Sequence, residues 1–586
     1  MAAFKLNLIK IFFLGLAISL FPVATLAEPV SGGIDAGALQ QQLQKENTNP
    51  MPQDLPDAVK SKKIEPAPEL ANEVKIIVQG VNFIGVKLEF EAELQIELKA
   101  YLGKQYSMQE LQKFPDEVSQ FYRKKGRVVQ CVLPPQTIKE DGIITISVLE
   151  AKLGSITVEN PSAKARISAY QAKRYITAQV KSGEDLDTDA IARGVALLNE
   201  VPGIKAESAL EAGKLSGETN VNLDLKQAAV AQGHFDMTNY GARSTGVEQG
   251  IANININGPL KIGDQATAFG SYSYGSQYTQ LGYSLPLGYK GLRMGVTGSY
   301  LNYENINQYI VNGSQGSAWI AGVNLSYPLL REQSTNANVM ATYDHKSYLN
   351  TNLATALTNS EYLINDYSLG ISVNHFDELF GGGTTSMTSH VVLGQLDLNG
   401  SPQSYSAWYD ASKMLHTYTP AIFEKLLGAL NHSRSLPLGV QLKINVSGQW
   451  AAQDLNTSEK FYLGGPYGVR AYPVAQAGGD QGVLGTVEIQ RSLPKNLMAS
   501  VFVDSGMVRQ YVNTYQGWQG QTAAANTYSL TGAGLGLKWQ YQDVTLSGVV
   551  AWKVGKNPML SQTGLAVDND STNNSPRGWL TAGYGF

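Results

Sequence analysis

From residue 230 onward the chain is built of short segments in which apolar and polar side chains alternate. Ala252, Ile254 and Ile256 alternate with Asn253, Asn255 and Asn257. Val440, Leu442, Ile444 and Val446 alternate with Gln441, Lys443, Asn445 and Ser447, and Val544, Leu546 and Val550 lie opposite Thr545 and Ser547. A period of two is the signature of a strand with one apolar and one polar face. Segments of about ten residues with lipid on one face and water on the other suit a transmembrane β-barrel. The same parity puts Trp450 and Trp552 on apolar faces near segment ends, where an interfacial aromatic girdle belongs. About sixteen segments are discernible, an even number as such barrels usually have. Leu285-Pro286-Leu287-Gly288 and Arg491-Ser492-Leu493-Pro494 read as short turns, whereas Gln510–Asn526 and Lys556–Arg577 are long connections. Short turns at one rim and long loops at the other fit the same architecture. A soluble sandwich or propeller would carry a blade or sheet repeat, and none is visible.

Composition divides the chain at the same point. All seven Trp and 25 of the 30 Tyr follow residue 230. Charged residues number 40 in the last 357 positions and 54 in the first 229. The net charge of −4 gives no basic excess for nucleic acid. The single cysteine, Cys131, excludes an intramolecular disulfide.

Residues 1–27 read as a secretory signal: Lys5 and Lys10 precede the apolar run Ile11–Phe21, and Thr25-Leu26-Ala27 offers a cleavage point. That run is too short for the ~30 Å of a bilayer core. Within 28–46, Ala36, Leu39 and Leu43 have helical spacing over Ile34–Glu46, a short amphipathic helix or a disordered stretch. Pro50, Pro52, Pro56, Pro66 and Pro68 make 47–72 an extended linker.

Two similar α+β modules follow, 73–151 and 152–229. The first reads as strand Val74–Gln79, helices Leu88–Tyr101 and Met108–Lys124, and strands Arg127–Leu133 and Ile143–Leu149 around a turn at Asp141-Gly142. Ser107 and Glu110 form a capping box, and Pro115 is expected to disturb the second helix. The order recurs as Ser155–Glu159, Ile167–Val180, Thr188–Glu200, Ile204–Leu210 and Val221–Leu225, with Asp187 as an N-cap. A free edge strand in such a module can take up an extended peptide; a mere spacer is the alternative.

The last strand places Leu580, Ala582, Tyr584 and Phe586 on one face and ends the chain on an aromatic ring. Tyr584 and Phe586 resemble the terminal signal read by the outer-membrane assembly machinery. The whole order of helix, Pro-rich linker, two modules and barrel resembles the two-partner secretion transporters of the hemolysin activator/secretion type, whose modules are called POTRA domains. Lys125-Gly126-Arg127, Val132-Leu133-Pro134-Pro135-Gln136 and Asp141-Gly142 are similar to that family's first module. Gly233–Gly246, with Asn239-Tyr240-Gly241 and Arg243-Ser244-Thr245-Gly246, is similar to its barrel start. Val469-Arg470-Ala471-Tyr472, after Phe461-Tyr462-Leu463-Gly464-Gly465, resembles the tip of a loop that folds back into the barrel. Phe502, Asp504 and Gly506 resemble its partner motif on the wall. The three share one face, and Val501 and Val503 on the other turn Asp504 inward, where Arg470 could meet it. The family glycine is Ala471 here, which would cost about 1 kcal/mol if φ were positive.

The resemblance implies an outer-membrane transporter with POTRA domains in the periplasm and a plug helix at 28–46. Its partners would be an unfolded exoprotein (a hemolysin, adhesin, toxin or heme-scavenging protein), membrane lipids and, during biogenesis, the assembly machinery. Extended, the linker would reach about 80 Å, enough for the plug to leave. Nothing points to catalysis, a cofactor or a metal. The six His have no i, i+4 pair, and Gly532-Ala533-Gly534-Leu535-Gly536 lies on a strand with no helix after it, unlike a nucleotide loop. A general assembly factor of the same superfamily and a passive porin are the competing readings.

Overall fold

The computed structural model describes residues 34–47 and 75–586, apart from 108, 140, 160–165, 216, 311–312, 333, 410–413, 520–523 and 561–564. The signal segment and nearly all of the linker expected from the sequence lie outside these residues. Among the described residues no helix is long and apolar enough to cross a membrane.

Helix α1 (Ala36–Glu46) is capped by Asp35, whose carboxylate accepts from the Ala38 N–H. The first module contains β1 (Ile76–Val78), β2 (Gly80–Ile84), α2 (Leu88–Leu98), β3 (Lys104–Tyr106), α3 (Lys113–Lys124), β4 (Val129–Val132) and β5 (Ile143–Glu150). Its sheet order is β2-β5-β4, with β2 parallel to β5. Apolar faces of α2 and α3 close over the sheet around Leu94, Leu98, Phe114, Val118, Ile144 and Ile146. Ser107 and Glu110 exchange hydrogen bonds as a capping box does. Two readings need correction. Pro115 does not disturb α3, because it falls in the first turn, where its missing N–H is not needed. The strands also differ: β2, not the expected segment Val74–Gln79, joins the sheet, and the short β3 pairs with β1 outside it; Lys-Gln-Tyr carries too little pattern to announce β3.

The second module holds β6 (Lys152–Glu159), α4 (Ala169–Thr177), α5 (Thr188–Asn199), β7 (Ile204–Ala212) and β8 (Glu218–Gln227), with sheet order β6-β8-β7. Asp187 caps α5. The modules meet at Gly126 (φ +70°), whose carbonyl accepts from the Thr188 N–H and hydroxyl. A Cβ at Gly126 would lie 2.5 Å from the Asp189 carboxylate. Lys87 bridges Glu150 of the first module and Asp185 of the second.

The barrel begins with β9 (Ala231–Thr238), β10 (Gln249–Asn257), β11 (Gln265–Ser273), β12 (Ser276–Pro286), β13 (Arg293–Glu304) and β14 (Ser314–Arg331). It continues with β15 (Thr335–Asn352), β16 (Thr358–Asp377) and β17 (Gly383–Asp397). A small hairpin, β18 (Ala407–Tyr409) and β19 (Leu415–Thr417), rises from the far rim before β20 (Ile422–Leu436) and β21 (Val440–Ala451). Inside the next loop, β22 (Phe461–Tyr462) pairs with β23 (Gly478–Gly479). The wall ends with β24 (Gln481–Leu493), β25 (Leu497–Arg509), β26 (Thr527–Tyr541), β27 (Val544–Lys553) and β28 (Arg577–Gly585). Without the two small hairpins these make a closed antiparallel barrel of sixteen strands, β28 pairing with β9. Outward residues such as Ile254, Val501, Trp450 and Trp552 are exposed on the lipid face, whereas Asn253 and Asn257 are buried on the inner side.

The second module sits beneath one part of the near rim. Arg193 donates to the Pro328 carbonyl at 2.6 Å, Arg331 pairs with Glu200, and Leu197 fills the space left by Gly291.

Candidate functional site

Between β21 and β24 the chain does not project away from the barrel. Residues 452–480 fold back into the lumen, and Leu463, Val469, Ala471 and Tyr472 at the loop's inner end are fully buried. The tip is a tight turn: the Val469 N–H donates to the Leu463 carbonyl at 2.7 Å, and the Tyr472 N–H to the Val469 carbonyl at 3.0 Å.

Strand parity builds the receiving wall. Thr486 of β24 lies opposite Asp504 of β25, and Glu488 opposite Phe502. Arg470 reaches this wall in full. Its Nε and Nη2 donate to the two Asp504 oxygens at 2.9 Å each, and its backbone N–H donates to Asp504 Oδ2 at 3.1 Å. Nη1 donates to Glu488 at 2.9 Å, and the guanidinium lies 3.2 Å from the Phe502 ring centre. Such a bidentate, shielded pair fixes orientation as well as distance. The structure thus brings Arg470, Phe502 and Asp504 into contact. Gly506 leaves space for Leu463, since a Cβ there would lie 2.5 Å from its side chain.

Ala471 does not adopt a positive φ, so no strain follows from the missing glycine. The close approach is relieved on the opposite side instead: a Cβ on Gly532 would stand 2.7 Å from the Ala471 Cβ. Gly534 likewise accommodates the Phe502 ring, at 2.4 Å from a hypothetical Cβ. The glycines of Gly532-Ala533-Gly534 are therefore packing positions under the loop tip.

Four contacts escaped sequence reasoning. Glu488 is the second carboxylate on Arg470, Thr486 donates to Asp504 at 2.9 Å, and the Trp579 indole N–H donates to the Arg470 carbonyl at 2.7 Å. Gly532 is the fourth. The outward parity of Leu580 already implied an inward Trp579, which is where that signal lay. Tyr584 and Phe586 lie far from the loop contacts, exposed on the outer face. Phe586 exchanges two backbone hydrogen bonds with Gly233, at 2.9 and 3.0 Å, and so completes the β9–β28 closure.

Helix α1 also lies in the lumen. Ala36, Leu39 and Leu43 are fully buried among inward residues of the wall, including Tyr278, Tyr348 and Phe423. Its Gln40 donates to Ser299 at 3.2 Å, and its Gln42 to the Tyr240 carbonyl at 3.0 Å. Loop and helix together occupy the bore of the barrel. Among the described residues no group of His, Cys, Asp and Glu could hold a metal.

Residues 217–539, more than half of the chain, match the family described as haemolysin secretion/activation protein ShlB/FhaC/HecB, and residues 76–151 match the ShlB-type POTRA domain. The chain is 28% identical over 454 residues to the heme/hemopexin transporter protein HuxB of Haemophilus influenzae (strain 86-028NP), covering 76% of this chain and 78% of that protein. It is 22% identical over 473 residues to the outer membrane transporter CdiB of Dickeya dadantii (strain 3937), covering 78% and 80%. Among solved structures it is similar to CdiB from Escherichia coli, with a TM-score of 0.69 at 18% identity over 94% of this chain and 99% of that one. CdiB from Acinetobacter baumannii gives 0.64 at 19%, over 95% and 100%.

Proposed function

We propose that this chain, which belongs to the haemolysin secretion/activation protein (ShlB/FhaC/HecB) family of outer-membrane two-partner secretion transporters, exports one large exoprotein as an unfolded polypeptide through its barrel. The observation that carries the reading is the doubly filled lumen. A closed wall encloses a loop held by Arg470–Asp504 and an amphipathic helix, and POTRA modules stand at the near rim. A passive pore has no use for those modules.

In this reading the second POTRA module captures the extended exoprotein by strand addition at the β7 edge. The Asn199 side chain already takes the Ala206 N–H and carbonyl on that edge, at 2.6 and 2.9 Å. By alternation the free rungs are Ser208, Leu210 and Ala212. Strand addition uses main-chain bonds and so tolerates many side-chain sequences. Helix α1 then leaves the lumen and the exoprotein passes. Folding outside removes the extended chain from the equilibrium and drives export without a nucleotide. The sequence carries no nucleotide-binding loop. The similarity to HuxB makes a heme- or hemopexin-related exoprotein the first cargo to look for. Phe586 and Tyr584 serve as the terminal signal during assembly into the membrane.

Quantitative proteomics of medium, cell surface and outer membrane, with and without the gene, tests the proposal. Loss of one large exoprotein from the exterior is expected. A broad fall in many barrel proteins would instead indicate a general assembly factor, and no change would leave a porin.

A further inference from the structure

The plug helix rests on the luminal loop chiefly through one turn, Thr457–Glu459, close to where the loop leaves β21, with Lys45 over the Phe461 ring as a second contact. On the helix side the Thr457 hydroxyl donates to Asp35 Oδ2 at 2.7 Å. The Gln41 amide donates to the Ser458 carbonyl. Gly37 lies so close that a Cβ there would stand 2.6 Å from the Ser458 Cβ. Asp35 is therefore shared: one oxygen caps α1 and the other holds the turn.

The opposite side of the same turn is charged and closed to solvent. Glu459 is 2% exposed, and its two oxygens accept from Lys346 of β15 at 2.8 Å and from Lys425 of β20 at 2.6 Å. Lys346 is shared with Asp366 of β16. The Glu459 carbonyl accepts from the Gln449 amide at 2.9 Å and from Lys425 at 3.3 Å. Two lysines and two carboxylates thus balance one another, drawn from three wall strands and the loop. Only Glu459 belongs to the luminal loop; Lys346, Asp366 and Lys425 belong to strands of the wall. Removing one member of such a buried set leaves its partners uncompensated.

We infer that Thr457–Glu459 is the seat of the plug and that Glu459 is the positioning residue that fastens this seat to the wall. Plug retention then depends on a charge cluster behind the turn, on the side away from α1. The inference rests on the reading of α1 as a plug, and its test separates the two.

The test is single-channel recording of the full chain in planar bilayers, comparing four variants with the native protein: deletion of 34–46, Gly37→Ala, Glu459→Gln and Glu459→Asp. Deletion is expected to leave the pore open. Glu459→Gln is expected to raise the open fraction on the order of tenfold, the effect of one lost buried hydrogen bond, and Gly37→Ala by a similar factor through the methyl group it forces against Ser458. Glu459→Asp should restore part of the closure. Glu459→Gln made in the deleted protein should add nothing, because no plug remains to be seated. An unchanged open fraction in both Glu459→Gln and Gly37→Ala, with the deletion open, would overturn the inference and keep the plug. An equal gain from Glu459→Gln in the deleted protein would also overturn it, by showing that the residue acts on the loop alone. A deletion that opens nothing would remove the plug reading itself. If Glu459→Gln fails to insert, Gly37→Ala decides for the seat, since it alters no charge, and Glu459→Asp decides for the fastening: an unchanged open fraction there overturns the role of Glu459.

Discussion

Truncating Asp504 to Ala removes three hydrogen bonds to Arg470 and one from Thr486. Breaking a buried ion pair by removing one member costs about 3–5 kcal/mol, mostly because the survivor is left uncompensated. Here Arg470 keeps Glu488 at 2.9 Å, so the cost falls at the lower end, about 3 kcal/mol. Arg470→Ala is the harsher change. It strands both Asp504, fully buried, and Glu488, with no cation between them, and belongs at the upper end, about 5 kcal/mol. Glu488→Gln keeps an acceptor and should cost least, about 1 kcal/mol. The readout is hydrogen exchange of amides in 463–472 in lipid nanodiscs, where local opening of the loop sets the rate. A cost of 3 kcal/mol corresponds to roughly 150-fold faster exchange. The expected order of loosening is Arg470→Ala, then Asp504→Ala, then Glu488→Gln, with export of the exoprotein falling in the same order. Unchanged protection in Asp504→Ala would refute the role of the Arg470–Asp504 pair in holding the loop, and so would Glu488→Gln loosening the loop as much.

Three further outcomes follow from particular contacts. Gly532→Ala puts a methyl group 2.7 Å from the Ala471 Cβ, so it should destabilise the loop tip by about 1–3 kcal/mol in the same exchange assay, and adding Ala471→Gly should recover most of it. Ser208→Pro removes an outward N–H from the β7 edge without touching the β8 ladder, so pull-down of the exoprotein should weaken while circular dichroism and barrel insertion stay native. The module contact at Lys87 and Asp185 should respond to pH only at its extremes. Lys87 lies above its ordinary pKa chiefly because it donates to Asp185, and Asp185 lies below its own for the same reason. The carboxylate's contribution is present above about pH 4 and is lost as pH falls through its depressed value, and the lysine's is lost above about pH 10.4. Both groups are substantially exposed, so the pair contributes only a few tenths of a kcal/mol, and a distance measured by fluorescence transfer between the modules should be flat from pH 5 to 9 and change little beyond.

The barrel was legible because lipid imposes its pattern on every strand. Val501 and Val503 face hydrocarbon at 50% exposure each, and that alone turns Phe502 and Asp504 inward. The pairing of Arg470 with Asp504 could be anticipated from parity and motif together. Its second carboxylate could not. Glu488 is close only because the β24–β25 register sets it opposite Phe502, and register depends on a three-residue turn, Pro494 to Asn496, that periodicity does not read. The short strand β3 escaped for the opposite reason: three residues are too few to show any period.

Ala471 shows where a motif misleads in physical terms. A glycine at that place suggests a need for positive φ, but the turn here needs only room, and the wall supplies the room at Gly532. The two positions trade one methyl group across the interface. A loop tip and its wall in this architecture are therefore read together: the Cβ sits on one partner or the other, but the contact leaves space for only one. The same rule explains Gly37 against Ser458 and Gly506 against Leu463. At these three contacts within the bore a glycine stands where one element presses backbone-close on another. Under the proposed export, such backbone-close contacts suit elements that are held firmly at rest and separate as whole units.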